Sequence, residues 1–468
     1  MQIKDKMQPS IVKNTISLLF SKLVPSLVLT IINIVYSRYL TKDDYGMYQT
    51  IFTYLNIFVV ISTFGLTRYI LSFGSLYQYR PLLRVKLLSV IFIITLLPIV
   101  LYLQFTDSTL SVTSLTLFVI LLLSQSLYLV QEANVLSFEK NKLLIFPNLI
   151  YALLLLACHI LLLYIGYSIE RCLLALIAVS VIRNVGVAYY IKNEVQISTY
   201  LSSIKEVDQL IWFGINDVLQ IMTKWIDKII LILLLSAADY AVYFNGTYEI
   251  PLIGMGLSAF QSIITARSAK ADATNESNIA LFGSSALFMS GILFPLFGIC
   301  FFFAHEIILL LFGEKYVFSA ELFAITSLLI PMRICNYTVL LQIKSKGNLI
   351  LIGALLDFVV AVVLMFLFYP IWGLKGLALA IVIATYVQAA FYLFNIVFIY
   401  RSGWGTILPW LKLVLRFSIV ILSFFSLRLV LGLQTDRFSV IILSTVLFVF
   451  LLIGFNFKSL SWKQLFRS

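Results

Sequence analysis

The stretch "LTKDDYGMYQT" at residues 40–50 lies between two long apolar runs, and "LSAADYAVYFN" at residues 235–245 echoes it. Both read Leu, a hydroxyl residue, two variable positions, Asp-Tyr, a small residue, one further position and Tyr. The offset between them is 195 residues. A short polar turn written twice, that far apart, points to an internal repeat, and the rest of the sequence says what is repeated.

Of the 468 residues, 61% are hydrophobic and 12% charged, against about 25% charged in a soluble domain. The expected fold class is an all-α polytopic membrane protein whose apolar runs cross the bilayer as helices of roughly 20 residues. The basic N-terminal stretch leads into a run of spanning length with no small-residue cleavage site, so the first helix is expected to be retained. The net charge of +12 is the excess of Lys and Arg that cytoplasmic loops carry, so no nucleic-acid partner is expected. Cys158, Cys172, Cys300 and Cys335 fall in apolar runs without metal-ligand spacing, so no metal site is expected.

Fourteen apolar runs are counted, at about 14–37, 46–73, 84–104, 110–131, 143–165, 172–191, 210–235, 241–265, 280–304, 318–341, 349–369, 376–399, 411–431 and 438–456. With the N-terminus inside, alternation gives every inside segment two or three basic residues, from Lys4, Lys6 and Lys13 through to Lys458, Lys463 and Arg467. Each outside segment carries at most two, drawn from Arg38, Lys42, Arg171, Lys315, Lys375 and Arg437. A missed helix would scramble this order, so an even count with both termini cytoplasmic is expected. The first turn follows run 1 and its echo follows run 7. Six intervening helices return the chain to the same side, which makes the repeat parallel. A second echo, "LSFEKNKLLIF" from residue 136 and "LQIKSKGNLIL" from residue 341, supports it. The expected division is a six-helix bundle over 1–192, a cytoplasmic linker over 193–209, a second bundle over 210–400, and two extra helices with a basic tail over 401–468.

Charges inside the runs mark where function is expected, because a charge at mid-bilayer costs about 2.5–3.5 kcal/mol and must find a partner or a water-filled cavity. On run 7, Asp217, Lys224 and Lys228 fall within about 40° of one another, and Gln220 and Asp227 widen the stripe. Such a stripe either lines a cavity or neutralises itself between packed helices. On run 1, Lys22, Ser26, Asn33 and Ser37 fall within about 60°. At offset 195, Lys22 corresponds to Asp217 and Asn33 to Lys228, so the two repeats are expected to face each other with polar stripes. Pro25 is expected to kink run 1. Arg68, in "FGLTRYI", and Arg333, after Pro331, are each expected at the cavity or an interface. Arg183, Arg416 and Arg428 are expected to snorkel. Glu249 and Asp357 are candidates for charge pairing or for coupling to H+ or Na+. His159 reads as a core histidine. No phosphate loop, HExxH or nucleophile elbow occurs, so no catalytic residues and no bound cofactor are expected.

The run "YSRYLTKDDYGMYQTIFTYLNIFVVISTFGLTRYIL" at residues 36–71 resembles the start of Wzx-type polysaccharide flippases, of the multidrug/oligosaccharidyl-lipid/polysaccharide exporter superfamily. The turn carries Asp44, Tyr45, Gly46 and Tyr48; the following segment carries Phe64, Gly65, Leu66 and Arg68. "KGNLILIGALLDFVVAVVLMFLFYPIWGLKGLALA" at residues 346–380 looks like the family's helix 11–12 hairpin, with Gly373, Gly376 and Ala380 at the turn. The resemblance implies a MATE-like fold: two six-helix bundles around a central cavity, plus two C-terminal helices. It implies flipping of an undecaprenyl-diphosphate-linked repeat unit, for O-antigen or a related surface glycan, from the inner to the outer leaflet of the bacterial plasma membrane. A polysaccharide polymerase and a chain-length regulator are the implied protein partners. It assigns no residue roles, and Asp357 stands where an uncharged residue is more usual in the family. The alternatives are a multidrug exporter of the same fold, which typically carries a membrane Asp in helix 1 whereas run 1 offers Lys22 and no carboxylate, and a membrane polysaccharide polymerase, which generally needs a long outer loop absent here.

Overall fold

The computed structural model describes residues 4–73, 111–138, 140–194, 204–248, 274–432 and 437–457, with Gly254, Leu257 and Ile264. Helices account for nearly all of them and no strand occurs among them. In hydrocarbon each backbone N–H and C=O needs an internal partner, and the α-helix supplies one within the segment. Seven described helices are long and apolar enough to cross a bilayer, eight if one bent pair counts as a single span. Run 3 lies outside the described residues, as does most of run 8.

The chain forms two compact units, Met1–Ala241 and Val242–Ser468. The first holds α1 (Lys4–Tyr39), α2 (Lys42–Thr63), α3 (Leu66–Phe73), α4 (Val112–Ser137), α5 (Ile145–Ile165), α6 (Ile169–Glu194), α7 (Ile204–Leu234) and the start of α8 (Ala237–Gly246). α1 runs as one helix through Pro25. It packs on α5, α4 packs on α6, and α7 packs on α2 and α3.

The quoted turns are helix N-termini built alike. Thr41 caps α2: its hydroxyl accepts from the Asp44 amide at 3.1 Å and donates to the Asp44 carboxylate at 2.6 Å. Ser236 caps α8 in the same way with Asp239, at 3.2 and 2.8 Å. Each cap satisfies an amide that the first helical turn leaves without a partner. Tyr45 and Tyr48 of the first turn and Tyr240 and Tyr243 of the second are fully buried. The small residue of the motif has a packing cause: a Cβ on Gly46 would fall 1.8 Å from the Ala237 carbonyl oxygen.

Run 2 is not one straight helix. Phe64 (φ +34°) and Gly65 (φ +76°) take left-handed conformations, and α3 leaves α2 at 57°. Gly65 permits the bend twice over. Glycine accepts the positive φ, and a side chain there would strike the Gly214 backbone of α7, 2.3 Å from its nitrogen.

The second unit holds α9 (Asn275–Phe302), α10 (Ala304–Phe312), α11 (Val317–Ser327), α12 (Val339–Ile343), α13 (Gly347–Trp372), α14 (Leu374–Tyr400), α15 (Trp404–Ile407), α16 (Trp410–Leu431) and α17 (Arg437–Phe457). α13 and α14 form a hairpin closed at Gly373 (φ +56°), as the sequence leads one to expect. α16 and α17 pack on α9, with Phe424 against Gly298. Run 10 is a correction: the expected span over 318–341 is broken into α11, a 3-10 turn at Pro331–Ile334, and α12. Pro331 has no amide to donate and clashes with a preceding helical turn. Cys335 beyond it is extended, and the Asn336 side chain receives the Thr338 amide at 3.2 Å.

Candidate functional site

The polar stripe of α7 is answered mainly from α3. Beyond the Phe64–Gly65 break, Arg68 turns its guanidinium onto α7, where Nε forms an ion pair with the Asp217 carboxylate. Nη2 donates to Gln220 Oε1 at 2.6 Å, and Gln220 Nε2 donates to Asn216 Oδ1 at 3.2 Å. Register explains the meeting. Gly65 and Gly214 touch where α3 crosses α7, and Arg68 and Asp217 each lie three residues past that contact, on the adjoining turn. Leu66, Tyr69 and Ile70 of α3 pack with Val130 and Ala133 of α4 and Leu210 of α7, which fixes the short helix in place.

Further along α7, Lys228 Nζ lies 3.1 Å from the Asp227 carboxylate, and Asp227 is buried. Lys224 is exposed and has no carboxylate within ion-pair reach among the described residues. Both lysines flank Trp225, with Nζ 5.7 Å (Lys224) and 5.3 Å (Lys228) from the ring centroid, a distance at which a cation gains from the ring's electron-rich face. Asp227 and Lys228 neutralise one another, whereas Asn216, Gln220 and Lys224 stay exposed along the helix.

On α1, Lys22 pairs with Glu132 of α4 at 3.2 Å. Asn33 Oδ1 accepts from Gln49 of α2 at 3.1 Å. Ser26 is half-buried, and its carbonyl accepts from the Thr30 hydroxyl at 3.0 Å. The described contacts join none of these three to α7. In the second unit, Arg333 lines a cavity of about 10 Å³ with Ser285, Cys335, Asn336 and Met289, room for about one water molecule. Asp357 is half-buried on α13, with no cation within ion-pair reach among the described residues. Glu249 lies outside the described residues.

Of the three arginines expected to snorkel, Arg183 is buried instead, and Arg416 and Arg428 have partners inside the protein. Arg183 is buried between two phenol rings, 3.5 Å from the Tyr128 centroid and 3.8 Å from that of Tyr151, and donates to Gln125 at 2.6 Å. Arg428 pairs with Glu306 of α10. Arg416 donates to the Leu287 carbonyl, to Ser290 Oγ at 3.0 Å and to the Phe455 carbonyl at 3.1 Å. In each case internal acceptors replace water, so the side chain need not reach an interface. His159 is a core histidine, with Nδ1 2.9 Å from the Leu155 carbonyl. Sequence reasoning missed Glu132, the partner of Lys22. The polar step "QEAN" at residues 131–134, ending an otherwise apolar helix, is the signal that marks it.

Helices of spanning length and apolar composition, with charges paired between them, define a multi-pass helical membrane protein. More particularly, the sequence profile of the polysaccharide biosynthesis protein family matches residues 35–321, and the chain belongs to that family. No curated protein matches the chain. Among solved structures, it is similar to the lipid II flippase MurJ in an inward closed conformation: 13% identity, TM-score 0.67, over 97% of this chain and all of that one. It is also similar to a MATE transporter in a bent conformation (15% identity, TM-score 0.56, 84% of this chain and 95% of that one). A third is a transporter of the same superfamily from Pyrococcus furiosus (14% identity, TM-score 0.58, 84% and 95%). At such identities these likenesses establish the fold, which is that of the superfamily the sequence resembles.

Proposed function

We propose that this chain is a flippase that moves undecaprenyl-diphosphate-linked oligosaccharide units, for O-antigen or a related surface polysaccharide, from the inner to the outer leaflet of the bacterial plasma membrane by alternating access. The observation that carries the reading is the α3–α7 constellation: Arg68 held on Asp217 and Gln220, with Lys224 and Lys228 along the same helix. A guanidinium and two ammonium groups suit a diphosphate or acidic sugars, the fork bidentately and the amines as point charges. Exposed Asn216 and Gln220, with Ser26 and Asn33, suit sugar hydroxyls, while the lipid tail stays in the bilayer. Membership of a polysaccharide biosynthesis family and a fold shared with a lipid II flippase support the choice of cargo.

The two bundles, 1–192 and 210–400, act as the rocking halves, joined by the linker 193–209 and followed by the helices of 401–468, with both termini cytoplasmic. Coupling to H+ or Na+ supplies the drive, with Asp357 and Glu249 as candidate carboxylates. A polymerase and a chain-length regulator are the partners that would take over the flipped unit. The test is flipping of a fluorescent lipid-diphosphate oligosaccharide by the purified protein in vesicles. Wild type is expected to flip it, and Lys224→Ala with Lys228→Ala to lose most of the rate. Unchanged flipping in that double variant contradicts the site.

The shared fold with MATE transporters supports a second reading, a multidrug exporter, in which Asp217 and Asp227 receive a cationic drug. The Arg68 and Lys228 contacts that already hold both carboxylates weigh against it, as does Lys22 on α1.

A further inference from the structure

The Arg68–Asp217 pair is unequal. The Arg68 side chain is 35% exposed and that of Asp217 only 8%. The described contacts of Arg68 use Nε and one terminal nitrogen, and a guanidinium has five donors. Among the described residues, Asp217 has this one cation. From α3, the facing titratable groups are Arg68 and Tyr69. α2 carries its charges, Lys42, Asp43 and Asp44, at the far end from the crossing. On α4, Glu132 is held by Lys22. On α7 itself, Lys224 and Lys228 lie seven and eleven residues on, roughly 10 and 16 Å along the axis.

An anion that binds bidentately on the Nε edge of the guanidinium takes it from Asp217. A carboxylate this buried and stripped of that cation is less stable charged than protonated. We propose that Arg68–Asp217 is an exchange site, in which a lipid diphosphate occupies Arg68 while Asp217 takes one proton from water. When the anion leaves, Arg68 returns to Asp217 and the proton is released. The sign is fixed: the proton binds with the anion and departs with it, so on the outward step it travels with the cargo and is separate from any H+ or Na+ that supplies the drive. Asp217 is thereby a proton-binding residue distinct from Asp357, and affinity for the cargo rises as pH falls. The inference rests on the reading of the cargo as an anionic lipid, and the experiment separates the two.

The probe is a synthetic geranylgeranyl-diphosphate hexose. As a diphosphate diester it carries fixed charge, so any proton exchanged near neutral pH belongs to the protein. Calorimetric titration of the full-length protein in nanodiscs, in buffers of different ionisation enthalpy, counts protons taken up per lipid bound. Wild type is expected to take up about one, with affinity rising by up to about tenfold per pH unit lowered, since one proton is linked to one ligand. Asp217→Asn is expected to bind more tightly at high pH, because Arg68 is freed, with uptake near zero and no pH slope. Arg68→Gln is expected to bind weakly and also without uptake, because its Asp217 has no guanidinium to lose. Binding by wild type without uptake, or uptake by Asp217→Asn equal to wild type, overturns the exchange site and leaves the flippase reading standing. If the lipid binds at no pH, the cargo reading falls and the exchange site falls with it.

Discussion

Two ion pairs of this protein, each a half-exposed arginine on a buried carboxylate, look alike in isolation and differ in their surroundings. Arg68–Asp217 in the first unit has side-chain exposures of 35% and 8%, and Arg428–Glu306 in the second has 39% and 10%. Arg68 sits one turn past a left-handed break, beside Gln220 and Asn216, on a helix that carries Lys224 and Lys228. Arg428 lies over the Phe303 ring, 5.5 Å from its centroid, and ties α16 to α10 in a core of Phe303 and Phe424. One pair is flanked by groups that can receive a polar ligand, the other by groups that can only pack. A charge in a membrane helix thus marks function by the company it keeps more than by its burial.

Removing each cation sharpens this contrast. Arg68→Ala is expected to lower the rate of lipid-diphosphate flipping at least tenfold, since losing one partner of a close charge pair costs about 2–5 kcal/mol; the vesicle assay reads it directly. Gly65→Ala should approach the same loss without touching a charge, because its Cβ meets the α7 backbone and moves α3 away from Asp217. A Gly65→Ala protein with wild-type flipping would separate the crossing from the site. Arg428→Met is expected to act on stability instead. A fully buried pair costs about 3–5 kcal/mol to break; with Arg428 more than a third exposed, about 2 kcal/mol is expected, read as a lower melting temperature in detergent, with flipping per folded molecule retained. The smallest effects belong to the repeated caps: Thr41→Ala and Ser236→Ala should each cost about 1 kcal/mol. Similar melting shifts for the two would confirm that the echoed turns do the same local work.

The echo at residues 40 and 235 was legible because a cap needs particular side chains at fixed spacing, and the structure gives both copies the same hydrogen bonds. The α7 stripe was legible because 3.6-residue periodicity places Asp217, Lys224 and Lys228 on one face. What lay across from it was not. The partner of Asp217 comes from α3, 149 residues earlier, and that pairing depends on a bend that "FG" permits without specifying. The break in run 10 was missed for a related reason: Pro331 announces a kink, but whether a helix resumes depends on what its freed carbonyls meet. Arg183 was misread because tyrosines that sandwich a guanidinium lie on α4 and α5, and a single helix's sequence does not show its neighbours.

The central claim, that this chain carries single lipid-linked units across the membrane, is tested most directly in a strain deleted for its gene, by sorting lipid-linked intermediates by leaflet alongside surface glycan. The account predicts single repeat units trapped on the cytoplasmic face and cells without the glycan. Single units displayed outside, without long chains, would instead assign a polymerase. Normal glycan with heightened drug sensitivity would contradict the account in favour of the exporter.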